Sequence, residues 1–180
     1  SRTNLYMPGP VGGPCLTKDS YILLESMNGY GVEPEITMVA RRLNESQPME
    51  VASFLSKTAK SLREFPSSPV FTLLGIAFKG KPVTDDLRGT MARPILNALI
   101  KQFQNAKFRG YDPVVSHAEV ASFGLEVCDT LEAAFEGSHL VMILNNHAEL
   151  EYMPLENLVL KMARPGLVYD FWNQFSAKDL

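Results

Sequence analysis

The sequence is poor in the residues that most often announce a function. It has 2 cysteines and 3 histidines in 180 residues, and neither Cys15 and Cys128 nor His117, His139 and His147 fall at metal-ligand spacing. That pattern excludes a disulfide framework and a structural zinc site, and points to a reducing, cytoplasmic compartment. The longest apolar run, "VFTLLGIAF", is about half of a membrane span, so no transmembrane helix is expected, and no signal peptide leads the chain. No basic block accompanies the net charge of -3. Neither a nucleic-acid groove nor a polybasic membrane face is therefore expected, although one local anion pocket remains open. No G-x-G-x-x-G occurs, because "GPVGGP" and "GYGVEP" both miss the spacing, so the chain carries no dinucleotide fingerprint of its own. Internal repeats and low-complexity tracts are also missing. With no start methionine, the opening "SRTNLYMPGP" reads as the cut end of a longer protein.

What is present divides into two units. A glycine-rich turn, "GPVGGPC", leads into a helix from about Asp19 to Met27, which "NGYGVEP" ends. From Pro34 to about Leu62 the pattern is helical: Ile36, Val39, Ala40 and Leu43 form one stripe, continued by Val51, Phe54, Leu55, Thr58 and Leu62. Pro48 lies inside and should kink or briefly break it. A stripe this long needs a partner, either its own domain or a second copy. "REFPSSPV" reads as a linker. Beyond it the period changes. Strands are expected at 70–78, "KFRGYD", "LEVC", "HLVMILN" and "GLVYDF", alternating with helices at 90–105, "SHAEVASFG", "TLEAAFEG" and "PLENLVLKMA". Such alternation implies right-handed crossovers and a parallel sheet. The fold class is thus α/β: a helical segment over about 1–64, then a Rossmann-like sheet domain over about 68–180. In such sheets ligands sit beyond the carboxyl ends of the strands. Lys79, Asp112, Asn145, Asn146 and His147 occupy those ends.

Two constellations could carry chemistry. The first is Gly12-Gly13-Pro14-Cys15 with Lys18 and Asp19. Glycines let the backbone approach a ligand closely. A thiol just before a helix start, with Lys18 beside it, is favoured as thiolate. Asp19 lies one helical turn on and could orient a water or take a proton. The plain alternative is a turn with a buried cysteine and a capping Asp19. The second is "FKGKPVTDDLRGT", where Lys79, Lys81 and Arg88 stand beside Asp85 and Asp86, and Thr90 could cap the next helix. A strand-to-helix loop of this kind is a sound anion site, or else a solvated loop of mutually neutralising charges. The histidines read as surface or capping residues, Cys128 as core, and Trp172 as packing or base stacking.

The order and spacing of "GPVGGPCLTKD", "GIAFKGKPVTDDLRGT", "GYDP" and "VYDFWN" resemble the UDP-glucose/GDP-mannose dehydrogenase family of nucleotide-sugar 6-dehydrogenases, over the C-terminal part of a member. The resemblance implies an N-terminal NAD domain outside this chain, a central helix that forms a homodimer, and a C-terminal domain that binds the UDP of the substrate. It implies two-step oxidation of a UDP-sugar to its uronate, with Cys15 forming a thiohemiacetal and then a thioester. Asp19 would assist a water, Lys18 would accompany them, and Gly12, Gly13, Phe78 and Lys79 would meet the substrate. Arg88 would reach the NAD phosphates, and Asn44, in "RLNESQP", would be structural; its glycosylation sequon reads as a chance match. Several positions depart from the family pattern. Thr17 and Ser20 stand where prolines are usual, Asn173 stands where some members have a substrate-binding arginine, and Lys79 and Arg88 are two residues further apart than in the commonest form. That longer spacing resembles a branch acting on UDP-N-acetylhexosamines. The catalytic lysine and asparagine that precede the cysteine are missing, so this stretch alone is expected to be inactive. The rival expectations are a non-catalytic nucleotide-binding or assembly module with an inert Cys15, and a cysteine hydrolase pairing Cys15 with a histidine.

Overall fold

The computed structural model describes residues 9–175; residues 1–8 of the expected helical unit and 176–180 of the expected sheet domain lie outside the described residues. Two helices of unequal length and burial come first. α1 (Asp19–Ser26) has no buried residue, whereas α2 (Glu35–Ser61) buries Pro48, Val51, Ala52, Leu55, Ser56 and Ala59. The N-terminal half of α2 leaves Ile36, Val39 and Leu43 exposed by 88%, 54% and 61%. Its C-terminal half lies on the sheet, and its 51, 52, 55, 59 spacing is the i, i+3, i+4 row that faces a core.

The rest is a five-stranded parallel sheet between helices. Its strands are β1 (Val70–Leu74), β2 (Lys107–Tyr111), β3 (Glu126–Val127), β4 (Leu140–Ile143) and β5 (Leu167–Asp170), in the order β3-β2-β1-β4-β5. The connecting helices are α3 (Ala92–Gln102), α4 (His117–Ser122), α5 (Leu131–Phe135), α6 (Ala148–Glu151) and α7 (Leu155–Val159). β1 and β4 occupy the middle because their residues are apolar on both faces, as a doubly covered parallel sheet requires. Strand alternation then sorts them. Phe71, Leu73, Leu140 and Met142 join Val51, Leu55, Ile95, Leu96 and Leu99 on one side. Leu74, Val141 and Ile143 join Phe135, Leu150, Leu155 and Leu158 on the other. One polar cluster interrupts this second side. Thr72, fully buried, meets Ser138 at 2.6 Å, and the Arg109 guanidinium donates to Ser138 at 2.6 Å and to the Glu136 carbonyl at 2.7 Å.

Three expectations need correction, and one helix had no expectation behind it. The strand expected over 70–78 ends at Leu74. α2 runs unbroken through Pro48. The proline removes one N–H, but its ring is buried and the apolar row that follows is held on the sheet, so tertiary packing outweighs the lost rung. The helix expected over "PLENLVLKMA" is limited to Leu155–Val159. α6 carried no periodic signal, being only 4 residues started by the His147 side chain, which accepts from the Glu149 N–H at 3.2 Å.

Candidate functional site

The strand order places a switch point at β1 and β4. From β1 the chain moves outward to β2 and β3, then returns to lay β4 and β5 on the other side. The loops after β1 and β4 therefore diverge and leave a crevice at the carboxyl edge. A cleft of about 350 Å³ opens there. Phe78, Lys79 and Lys81 from the loop after β1, Leu144 and Asn146 from the loop after β4, and Phe171 and Trp172 from the end of β5 line it. Gly9 to Gly12, Leu16 and the start of α3 at Met91 and Ala92 complete the wall. The charged residues in that lining are Lys79 and Lys81, both cations, and its aromatic residues are Phe78, Phe171 and Trp172. A cleft with two ammonium groups, three rings and no carboxylate in its lining suits an anion joined to a flat ring.

Buried side chains fix the cleft floor. The Asp112 carboxylate, 8% exposed, accepts from the backbone N–H of Ile76 at 2.6 Å and Ala77 at 3.0 Å with one oxygen. Its other oxygen accepts from Val114 at 2.9 Å and Val115 at 3.0 Å. Asp112 is thus a brace beneath Phe78 and Lys79, not a residue that meets a ligand. Asn145 lies 1% exposed against Gly75 and donates to the Ala77 carbonyl at 3.3 Å, and Asn146 accepts from Gly80 N–H at 3.0 Å. Thr90 accepts from Ala92 N–H at 3.1 Å, starting α3, and donates to the Ile76 carbonyl at 2.6 Å. Trp172 both lines the cleft and packs, its indole N–H reaching the Leu144 carbonyl at 3.0 Å. Lys81 pairs with Glu151 and lies 5.7 Å from the Tyr152 ring centre, while Lys79 sits 4.9 Å from that of Phe78.

The two motifs that lie some sixty residues apart in sequence meet here, backbone against backbone. Gly13 N–H donates to the Gly89 carbonyl at 2.8 Å. A Cβ on Gly12 would fall 2.2 Å from that same carbonyl oxygen, so no side chain fits. Gly13 has φ of +108° and would put a Cβ 2.9 Å from the Phe78 ring, which glycine alone accommodates without strain. Beyond this contact the chain turns: the Cys15 carbonyl accepts from Lys18 N–H at 3.0 Å and Asp19 N–H at 2.9 Å, so a helical turn already separates Cys15 from Asp19. Cys15 is exposed, against the buried alternative, and Asp19 starts α1 without capping it.

Charges gather around this thiol. Lys18 follows three residues after Cys15, and Arg88 adjoins Gly89, whose carbonyl holds the Cys15 loop through Gly13 N–H. Each also has an acidic partner: Lys18 bonds Asp19 at 2.5 Å, which raises the lysine pKa, and Arg88 forks onto Asp86 at 2.7–3.1 Å. Hydrogen bonding from Arg88 holds the Asp86 carboxyl at about 2.

Of the expected site residues, the fold brings Gly12, Phe78 and Lys79 into the cleft lining, with Gly13 packed behind Phe78. Cys15 stands at its rim, directly before the lining Leu16, with Lys18 and Asp19 two and three residues beyond that leucine, and Arg88 lies in a shallow depression with Asp85, Leu87 and Glu119. No histidine joins them. His147 starts α6, His139 accepts from Val70 N–H at 3.2 Å, and His117 faces Asp129 at 3.6 Å. None of these histidine contacts involves Cys15, Lys18 or Asp19. Cys128 is buried, as expected, and burial pushes its thiol up. Among the described residues no group of three or more His, Cys, Asp or Glu could hold a metal, and no helix is long and apolar enough to cross a membrane. Sequence reasoning missed Met91, Leu144 and Phe171 as cleft residues. Phe171 could have been found as the residue after a strand end, but Met91 and Leu144 carry no local signal.

The chain is similar to known nucleotide-sugar dehydrogenases. Residues 72–177 match the UDP binding domain of the UDP-glucose/GDP-mannose dehydrogenase family. A UDP-N-acetyl-D-mannosamine dehydrogenase of Pyrococcus horikoshii is 30% identical over 87% of this chain, which spans 34% of that protein. A UDP-glucose 6-dehydrogenase of Bacillus subtilis is 31% identical over 92% of the chain, which spans 36% of it. The crystal structure of the Pyrococcus horikoshii UDP-D-ManNAc dehydrogenase superposes with a TM-score of 0.72 at 28% identity, covering 98% of this chain and 38% of that one. The chain thus spans about a third of the length of these relatives.

Proposed function

The chain belongs to the UDP-glucose/GDP-mannose dehydrogenase family, and from that premise we propose that it is the substrate-holding part of an NAD-dependent UDP-sugar 6-dehydrogenase. The observation that carries this reading is the docking of the Gly12–Cys15 loop on the 78–90 loop, which sets an exposed thiol at the rim of a cleft lined by Lys79 and Lys81. UDP would lie in the cleft, its diphosphate on the lysines and its base against the rings, with the sugar's 6-carbon at Cys15. The relatives act on UDP-N-acetylmannosamine and UDP-glucose, and the substrate class here is a UDP-hexose or UDP-N-acetylhexosamine. The extended 79–88 spacing favours the latter.

In this reading the sugar's 6-hydroxymethyl group first loses a hydride and its hydroxyl proton to become the aldehyde. The Cys15 sulfur then adds to that carbon while the carbonyl oxygen takes up a proton, giving a thiohemiacetal on the enzyme. Loss of a hydride turns this adduct into a thioester, and water then releases the acid and restores the thiol. NAD, when bound, supplies the acceptor for both hydrides. This chain lacks the glycine fingerprint for that cofactor. Arg88, with its side chain 77% exposed, is the cation that would touch the edge of its phosphates. Asp19, one turn from Cys15, would orient the hydrolytic water, with Lys18 limiting repulsion between this carboxylate and a thiolate. The region up to residue 64 would serve as the catalytic loop and dimer element, and 68–180 as the UDP domain.

The chain should bind UDP without any dinucleotide, in the millimolar range or tighter. Titration calorimetry should give a clear heat for UDP and almost none for uridine, and Lys79→Met should weaken UDP by roughly 10-fold, the scale of one charge-assisted phosphate contact. Equal binding of UDP and uridine would count against a diphosphate on the lysines. Dimerisation is the second part of the proposal. Ile36, Val39 and Leu43 lie at i, i+3 and i+7 on the outward side of α2 and are more than half exposed, a stripe that a second copy would cover. Sedimentation should show a dimer that Ile36→Asp with Leu43→Asp converts to monomer; an unchanged sedimentation coefficient would place any interface elsewhere.

A further inference from the structure

We infer that Asn44, with Arg41 beside it, is the positioning residue for Cys15: α2 grips the reactive loop at both ends. The inference rests on the reading of Cys15 as nucleophile. Residues 9–12 form no helix or strand, so the chain leading to Cys15 has no ladder of its own. The Asn44 carboxamide replaces one. Its oxygen accepts from Val11 N–H at 2.8 Å and its nitrogen donates to the Val11 carbonyl at 2.8 Å. Both backbone groups of one residue are thereby satisfied by one side chain, in the way two strand residues exchange a pair of bonds. Only a carboxamide offers a donor and an acceptor in that form.

The other end of the loop is held from the same helix. Arg41, whose side chain is 9% exposed, donates through Nη1 to the Leu16 carbonyl at 2.7 Å. Its Nε donates to Glu45 at 2.8 Å, and the Tyr21 hydroxyl donates to the same Glu45 oxygen at 2.7 Å, tying in α1. Val11 and Leu16 bracket Gly12-Gly13-Pro14-Cys15. Residues 41, 44, 45 and 48 form one i, i+3, i+4, i+7 row, so a single face of α2 presents the clamp, with buried Pro48 at its end. Against the opposite side of the loop stand Gly89 and Phe78. The thiol position is therefore set by α2 on one side and the 78–90 loop on the other.

Asn44 itself does not line the cleft, although Val11, which it holds, does. The charged contacts come from Lys79 and Lys81 on the other wall, so its loss should misplace the thiol and change nucleotide binding little. Hydrogen exchange on this chain is the first measurement: in Asn44→Ala the Gly13 amide should exchange at least about 10-fold faster while the β1 and β4 amides keep their protection. In a chain that also carries the dinucleotide domain, kcat should fall roughly 100-fold with KM for the UDP-sugar unchanged, the size expected for a reacting group displaced by about 1 Å. Asn44→Asp, which keeps the acceptor and loses the donor, should fall between. Unchanged exchange at Gly13 overturns the inference, as does full kcat in Asn44→Ala when Cys15→Ala has lost uronate formation. If Cys15→Ala itself turns over normally, the nucleophile reading fails instead, and the exchange experiment still judges the clamp.

Discussion

Cys15→Ala, in a chain carrying the dinucleotide domain, should bind the UDP-sugar normally and lose uronate formation at least roughly 1,000-fold, whereas the first oxidation to the aldehyde, which precedes the sulfur's step, still forms NADH. The size follows from the sulfur's role in the proposed sequence. Without it the aldehyde can be neither held as an adduct nor carried to the acid through a thioester. Folding should be indifferent, because Cys15 is exposed at the rim and such surface changes shift stability by about 0.5 kcal/mol or less. UDP affinity should also be unchanged, since Cys15 is outside the cleft lining. Steady uronate production by the alanine variant would remove Cys15 from the mechanism and leave a UDP-binding domain beside an inert thiol.

The largest expected loss of stability comes from Asp112→Ala. One carboxylate accepts from four backbone N–H groups, those of Ile76, Ala77, Val114 and Val115. Truncation strands these donors, three of which, Ile76, Ala77 and Val115, belong to buried residues. At the usual penalty for an unmatched buried donor, partly offset by entering water, the loss should be roughly 3–5 kcal/mol in urea unfolding. The functional effect should exceed what stability alone explains. Ile76 and Ala77 lead directly into Phe78 and Lys79, so the variant should lose UDP binding even at temperatures where it stays folded. Asp112→Asn should recover part of the loss, because one carboxamide oxygen still accepts while its nitrogen faces N–H groups it cannot bond. A cost under about 1 kcal/mol for the alanine variant would mean that the loop after β1 is held by something other than this brace.

Asp112 also illustrates how far local reading reaches. Its place after "RGY" marked it as a strand-end residue worth watching, and strand ends were legible because apolar runs of five to nine residues alternate with helical periods. Whether such a residue faces a ligand or the protein's own backbone depends on which N–H groups the neighbouring strand supplies. Nothing within "GYDP" contains that information. Asn44 is the same case reversed. It reads as structural within "RLNESQP", yet its two bonds to Val11 span 33 residues. Pro48 shows the limit of a local rule. A proline should interrupt a helix, but an apolar row beyond it packed into the core keeps the helix continuous as one element.

The sequence by itself determined the parallel α/β domain, the helical segment before it, and the two loops that carry the candidate chemistry. These depend on periodicity, on glycine and proline placement, and on residue type, all of which are local. Tertiary structure decided that β4 inserts beside β1 on the side away from β2, which creates the crevice. It also decided that the Cys15 loop docks on Gly89 and Phe78, and that Lys81, Phe171 and Trp172 turn into one cleft. Those outcomes depend on pairings between residues many tens of positions apart. Such contacts form only when the whole core closes, so no short stretch of the chain encodes them.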